Sequence, residues 1–308
     1  MRAQRPPPAR HCRRAEPLLR TSQALRATIT AFLSLTCVVA PVYAQPQVPS
    51  HISPAEFWMS GAAAQGGLII GRAPKGTRSL FFNDAALELS SDGYFLIGFD
   101  RDASIEASLV SMLADGSKIE RNIAVATGNW RIENVAANIT GGAKSSAEFQ
   151  ARRSAELAQI EAARAQRNDA EGWRQKFIRP LSGRISGLFG AQRIYNGTPG
   201  SYHNGMDIAA PQGRDFVAPA DGVVTLAAND AFTLEGHLLM IDHGMGLNSA
   251  FLHASELLVK AGDHVRQGQV IGRVGATGRA TGPHLHWGMK WNEERIDPQT
   301  LVGAMPAP

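Results

Sequence analysis

Cysteine is nearly absent: the 308 residues contain two, Cys12 and Cys37, both close to the amino end. Disulfides are thereby excluded as a support for the rest of the chain, which must hold itself by packing. Long apolar runs are also missing. The run over residues 27–40 is too short to span a bilayer comfortably and nothing later is longer, which leaves no membrane span to expect in a mature chain. Excess basic charge disappears once the amino end is set apart. The whole sequence carries 31 Lys+Arg against 27 Asp+Glu, but residues 1–44 hold seven of the former and one of the latter, so 24 against 26 remain, a net charge of about −2. Without a basic stripe to neutralise phosphates, a nucleic-acid partner is not expected.

What the amino end does contain reads as an export signal. Arginines up to Arg26 precede the apolar run, and Val42-Tyr43-Ala44 then supplies residues that a signal peptidase accepts, which predicts a signal peptide over 1–44 cleaved after Ala44. Two other readings fit less well. Arg13-Arg14 is followed by Ala15-Glu16-Pro17 where a twin-arginine signal wants a hydrophobic pair, and Thr36 precedes Cys37 where a lipidation site wants a smaller residue.

Beyond a linker at 45–66, residues 67–141 alternate short apolar runs with turn signals. Leu68 to Gly71, Ser79 to Phe82, Tyr94 to Phe99, Ser108 to Leu113 and Ile119 to Val125 are separated by Asn83-Asp84, Asp92-Gly93 and Asp115-Gly116. This spacing predicts a β-sandwich of immunoglobulin-like shape, with no cluster of catalytic residue types. Residues 142–179 turn rich in Ala, Glu, Arg and Gln, predicting a connecting helix whose apolar stripe is Phe149, Leu157 and Ile160. From 180 to 303 glycine, proline and β-branched residues return, predicting a second all-β domain, and seven of the nine histidines lie there. The fold class expected is mainly β.

Two pairs within that domain are aligned by local geometry. In Pro283-His284-Leu285-His286-Trp287 the imidazoles, two apart in a strand, leave one face while Leu285 enters the other. His203 and Asp207, four apart, share a face likewise, Gly205 between them favouring extended chain. Two histidines and a carboxylate suit a catalytic zinc, which takes three protein ligands and keeps one position for water. Further histidines suit proton transfer, because imidazole changes charge near neutral pH. His51, His237 and His264 read as exposed or structural, and so does His243, which ends an apolar strand.

His203-Asn204-Gly205-Met206-Asp207, Phe251-Leu252-His253-Ala254-Ser255 and Gly278-Arg279-Ala280-Thr281-Gly282-Pro283-His284-Leu285-His286 resemble the three signature motifs of the lysostaphin-type, or LytM-domain, zinc metallopeptidases. They stand in that family's order, joined by its Gly-x-x-Val-x-x-Gly-Gln-x-Ile-Gly stretch at Gly262 to Gly272, and the likeness covers 180–302. The resemblance implies an open substrate groove and Zn2+ held by His203, Asp207 and His286. It also implies that His253 and His284 flank the metal-bound water and the scissile carbonyl, without saying which is the base. Phe251, where the family often has tyrosine, implies a hydroxyl lost near the groove.

The implied substrate is the cross-linked stem peptide of peptidoglycan, cut at D-alanyl to diaminopimelate bridges by an exported, periplasmic enzyme. One rival is a non-catalytic LytM-type regulator that activates a cell-wall amidase, but members of that class typically lack ligands that this chain keeps. A lipoyl- or biotinyl-like carrier, suggested by Val265 to Gly272, lacks a lysine at a comparable turn. The layout also leaves room for a regulatory cell-wall partner and for an amino-terminal region that covers the groove.

Overall fold

Apolar alternation governs the first strands of the computed structural model, which describes residues 55–136 and 146–302; the leader, the predicted cleavage after Ala44 and residues 45–54 lie outside the described residues. Strands β1 (Trp58–Gly61), β2 (Leu68–Arg72), β3 (Thr77–Phe82), β4 (Ala85–Leu87), β5 (Tyr94–Gly98), β6 (Glu106–Leu113), β7 (Lys118–Ala124) and β8 (Ile132–Val135) come first. They form an antiparallel sheet ordered β1-β2-β5 and another ordered β4-β3-β6-β7, while β8 leaves to pair elsewhere. Asn83 and Asp84 both take positive φ (45° and 65°), the backbone of a two-residue hairpin turn whose twist suits the flanking β3 and β4. All five residues of β5 are buried, whereas β6 buries alternate residues, as a strand covered on one face does.

Helix α1 (Ala147–Ala165) starts at Ser146, whose hydroxyl accepts the amide hydrogen of Phe149. Of the expected apolar stripe Ile160 is buried while Phe149 and Leu157 are exposed, and Glu156 and Ala163 face inward beside Ile160. Ile160 and Ala163 pack on Ala228, Phe232, Leu238 and Met240. Glu156 is tolerated inside because its Oε1 accepts both the backbone N–H and the hydroxyl of Thr233 (2.7 Å each), and Arg152 and Arg153 donate to the same carboxylate. A single 3-10 turn follows at Gly172–Arg174.

The carboxyl-terminal part holds β9 (Arg184–Gly187), β10 (Gln192–Tyr195), β11 (Thr198–Pro199), β12 (Met206–Ala209), β13 (Asp215–Val217), β14 (Gly222–Phe232) and β15 (Gly236–Asp242). After them come β16 (Leu247–Ala254), β17 (Glu256–Leu257), β18 (His264–Val265), β19 (Val270–Arg273), β20 (His284–Trp291), β21 (Glu294–Ile296) and the short α2 (Pro298–Val302). The large sheet runs β18-β14-β15-β16-β20-β12-β9 with β21 beside β20, and a small sheet β13-β19-β17 lies apart from it. Between the two, Phe216 stacks on Phe251 (5.5 Å between centroids), which in turn lies parallel to Trp287 (6.5 Å). One apolar core is continuous from Trp58 and Phe95 to Trp287 and Ile296. The protein is thus mainly β.

The amino-terminal strands also build structure beside the large sheet. β8 pairs in parallel with β10, which pairs with β11. Buried Arg101 donates from Nε to the Gly190 carbonyl and from Nη2 to Gln192 Oε1 (3.0 Å each), with its guanidinium near the rings of Trp130 and Tyr202. Asp100 accepts hydrogen bonds from the Tyr202 hydroxyl (2.7 Å) and the Arg295 backbone (3.0 Å).

His243 is the fully buried histidine of the core, as its place at the end of β15 suggested. Its Nδ1–H donates to the Asp221 carbonyl (2.7 Å), so Nε2 accepts from the Ser249 hydroxyl (2.8 Å). Burial pulls its pKa down to about 4, against the hydrogen bond to Asp221. An unfolded chain takes up this proton near pH 6.5 while the folded chain does not, so stability falls as pH drops from about 6.5 toward about 4. The loss expected over that window is roughly 3 kcal/mol, at about 1.4 kcal/mol per pH unit. Denaturant unfolding at pH 7 and 4.5 checks it: the difference should shrink by roughly 2 kcal/mol in His243→Gln, and an undiminished difference would remove His243 as its source.

Candidate metal centre

A row of side chains crosses four strands of the large sheet. In the antiparallel registers Gly187 of β9 faces Asp207 of β12, Asp207 faces His286 of β20, and His286 faces Leu252 of β16. Directly opposed residues project from the same face, so register alone brings Asp207 against His286. The period of β20 does the rest: Leu285, Trp287, Met289 and Trp291 enter the core, leaving His284, His286, Gly288 and Lys290 on the other face. In β12, Met206 and Ile208 are buried and Asp207 is turned away from them.

His203 precedes β12 in a loop fixed by two backbone hydrogen bonds, His203 N–H to the Ala191 carbonyl and Gly190 N–H to the His203 carbonyl (2.8 Å each). Its Nδ1–H donates to the Leu188 carbonyl (2.9 Å), which directs Nε2 at Asp207 Oδ1 (3.0 Å) and His286 Nδ1 (3.1 Å). His286 Nδ1 lies 2.8 Å from the same oxygen. The ligand atoms of His203, Asp207 and His286 all lie within 4.8 Å of one another.

His253 reaches this face by a bulge. Between Leu239↔Phe251 and His237↔Ala254 the register gives β16 one extra residue, and His253 takes φ of 65°. A regular strand would send it inward with Phe251; the bulge places it beside Leu252 in the groove wall. Its Nδ1–H donates to the Thr277 carbonyl (2.8 Å), as that of His284 does to the Gly282 carbonyl (2.8 Å). The two rings stand 4.9 Å apart, and His284 Nε2 lies 3.8 Å from Asp207 Oδ1. All five expected site residues therefore meet on one groove.

Phe251 corrects an expectation. It is fully buried between Phe216 and Trp287, away from the groove, so no hydroxyl is missing from the site there. The backbone carbonyls of Leu188, Thr277 and Gly282, which orient three of the four imidazoles, were not foreseen. They have no sequence signal, because any residue supplies a carbonyl.

The donor set fits a metal ion. With the neutral His203 ring protonated at Nδ1, its Nε2 lone pair meets a carboxylate oxygen and a second imidazole nitrogen, a convergence that a shared cation would satisfy. Ligands roughly 2.0–2.1 Å from a tetrahedral zinc stand about 3.3 Å apart, close to the spacings seen. Electrostatics agree. Burial opposes ionisation of Asp207, yet the two imidazoles hold its carboxyl well below the usual carboxylate range. Burial pulls His286 down, whereas in His203 the Asp207 carboxylate outweighs burial and raises the pKa. Close packing leaves no slack: a Cβ on Gly205 would sit 2.6 Å from His286 Nε2, and one on Gly187 would collide with the Asp207 carboxylate.

The groove itself encloses about 1170 Å³ and leaves the His203 and Asp207 side chains 25 % and 22 % exposed. Tyr202, Arg193 and Glu133 stand in one wall, and Arg279 and Thr281 in another. The family model for peptidase family M23 matches residues 201–298. These residues form a peptidase family M23 domain. Over 106 residues, 34 % of this chain and 24 % of the relative, the M23 domain region is 42 % identical to the DD-carboxypeptidase/endopeptidase Mpg of Neisseria meningitidis. It is also 42 % identical over 105 residues to the peptidoglycan DD-endopeptidase ShyA of Vibrio cholerae, with the same two coverages. The chain thus spans about a quarter of the length of these curated relatives. A peptidase M23 crystal structure from Pseudomonas aeruginosa superposes with a TM-score of 0.61 at 27 % identity, covering 79 % of this chain and 96 % of that one. That likeness extends well outside the M23 domain.

Proposed function

We propose that the protein is an exported zinc endopeptidase that hydrolyses peptide cross-links of peptidoglycan at D-alanyl to diaminopimelate bridges. The observation that carries this reading is the convergence of three metal-binding side chains with two further imidazoles in an open groove. Relatives named as peptidoglycan DD-endopeptidases support the substrate class.

His203, Asp207 and His286 would hold the ion. Bound there, zinc supplies a Lewis acid and lowers the pKa of water toward neutrality. The groove admits an extended peptide and sets its scissile carbonyl between the metal residues and the His253–His284 pair. Burial holds His253 in its neutral form, with Thr277 fixing the tautomer, so its Nε2 lone pair points into the groove as a proton acceptor. His253 then returns the proton it has taken to the leaving amine, and His284, oriented through Gly282, steadies the oxyanion that develops on the carbonyl when its Nε2 carries a proton.

Full-length protein loaded with zinc should release soluble fragments from isolated sacculi, with masses that show the D-alanyl to diaminopimelate bond cut. A chelator should stop release and added zinc restore it. If a zinc-loaded preparation releases nothing but stimulates an added cell-wall amidase, the regulator reading replaces this one.

A further inference from the structure

Beside His286 a second, smaller space beneath α1 shares a wall with the groove. His286, Asn204, Glu235 and Leu252 line both. This space, about 90 Å³, takes its chemistry from Arg164 of α1, Lys290 of β20 and Arg295 of β21. Lys290 stands on the groove face of β20, four residues along from His286, at a separation of about 13 Å between backbones that its long side chain can shorten.

The charge balance of this space is one-sided. Glu235 is occupied by two hydrogen bonds from the Arg153 guanidinium (2.6 and 2.7 Å), and Glu293, paired with Lys290 at 2.5 Å, is largely out in solvent. Arg295 leans on the Tyr202 ring and donates to its hydroxyl (3.2 Å). Among the described residues, the Arg164 guanidinium makes neither a hydrogen bond nor an ion pair, although it lies between the helix and the sheet. Burial, and then the like charge of Arg295, depress its pKa against the pull of the Glu293, Glu235 and Glu161 carboxylates, none of which comes within ion-pair distance of it. A half-buried guanidinium facing a cavity with two more cations nearby calls for an anion, and a planar carboxylate matches its paired N–H groups.

We propose that this cavity is an anion subsite of the groove, in which Arg164, with Lys290 and Arg295 close by, receives a carboxylate that the substrate carries next to the scissile bond. The inference rests on the peptidase reading and narrows it. In a D-alanyl to diaminopimelate bridge, the amide nitrogen is attached to a carbon that bears a free carboxylate. The peptide that ends one residue after the scissile bond carries the same group in the same place. A subsite for it accounts for cutting at such bonds in preference to ordinary internal peptide bonds, and its Arg164 guanidinium comes from a helix outside residues 201–298.

The test compares two cross-linked muropeptides, identical except that the diaminopimelate carboxyl beside the bridge is free in one and amidated in the other. Hydrolysis is followed with zinc-loaded full-length protein, and binding by calorimetry on full-length protein kept chelated so that nothing turns over. The free acid is expected to show a KM and a Kd about 10-fold to 100-fold lower than the amide. That ratio should collapse toward one in Arg164→Gln, recover in Arg164→Lys, and shrink in Lys290→Gln, with circular dichroism verifying that the helix persists. Equal KM and Kd for acid and amide in the unmodified protein overturn the subsite while leaving the peptidase reading intact. A binding preference without cleavage of either compound supports the subsite and removes the peptidase reading. Cleavage and binding both absent overturn both.

Discussion

Asp207→Ala is expected to leave a folded protein that retains less than about a tenth of the wild-type zinc and hydrolyses sacculi on the order of 10³-fold more slowly. Asp207 is the sole anion of the metal triad, and its Oδ1 is the atom on which both His203 and His286 converge. Removing it leaves two imidazole nitrogens 3.1 Å apart with nothing to balance a divalent charge. The fold should survive, because β12 is held by Met206 and Ile208 in the core and by backbone pairing to β9 and β20, none of which needs the carboxylate. Zinc analysis of the purified variant, with a thermal melt beside it, checks the expectation. A variant that keeps full metal and full activity would show that the ion, if any, sits elsewhere.

The second large effect separates chemistry from metal binding. His253→Asn should keep its zinc and its melting behaviour yet lose activity by about 10²-fold to 10⁴-fold, the range for losing a general base. Asparagine is the informative replacement because residue 253 has positive φ, a conformation that asparagine tolerates better than alanine. Its amide preserves polarity in the groove but cannot take up a proton near neutral pH. Steady-state hydrolysis of a soluble cross-linked muropeptide, with metal content measured on the same sample, supplies both readouts. If His253→Asn retains activity while His284→Asn loses it, the roles proposed for the two imidazoles are exchanged.

Much of this arrangement was legible in the chain because it depends on short-range periodicity. Leu285 between His284 and His286, and Met206 and Ile208 around Asp207, fix which way each side chain points as soon as the segment is a strand. The hairpin turns at Asn83-Asp84 and Asp115-Gly116, and the turn at Asp92-Gly93 that precedes β5, were readable for the same reason. What depends on partners far along the chain was not. The bulge that delivers His253 exists because β16 gains a residue against β15, and neither glycine nor asparagine marks the spot. Phe251 was expected near the groove because the family often has tyrosine there, whereas the bulge sends the side chains of Phe251 and His253 apart. In α1 a glutamate replaced an expected apolar contact, since Thr233, 77 residues on, supplies the donors that make its burial tolerable.

The parallel pairing of β8 with β10, and the guanidinium of Arg101 near the rings of Trp130 and Tyr202, tie one bank of the cleft to residues about 60 to 90 positions upstream of it. On the proposed function, two proteins with the same histidines and aspartate would therefore differ in which wall fragments they accept, the difference being written in a stretch that holds none of the five site residues. Transplanting the motif-bearing segment alone into another host would carry over the cutting chemistry and leave its selectivity behind.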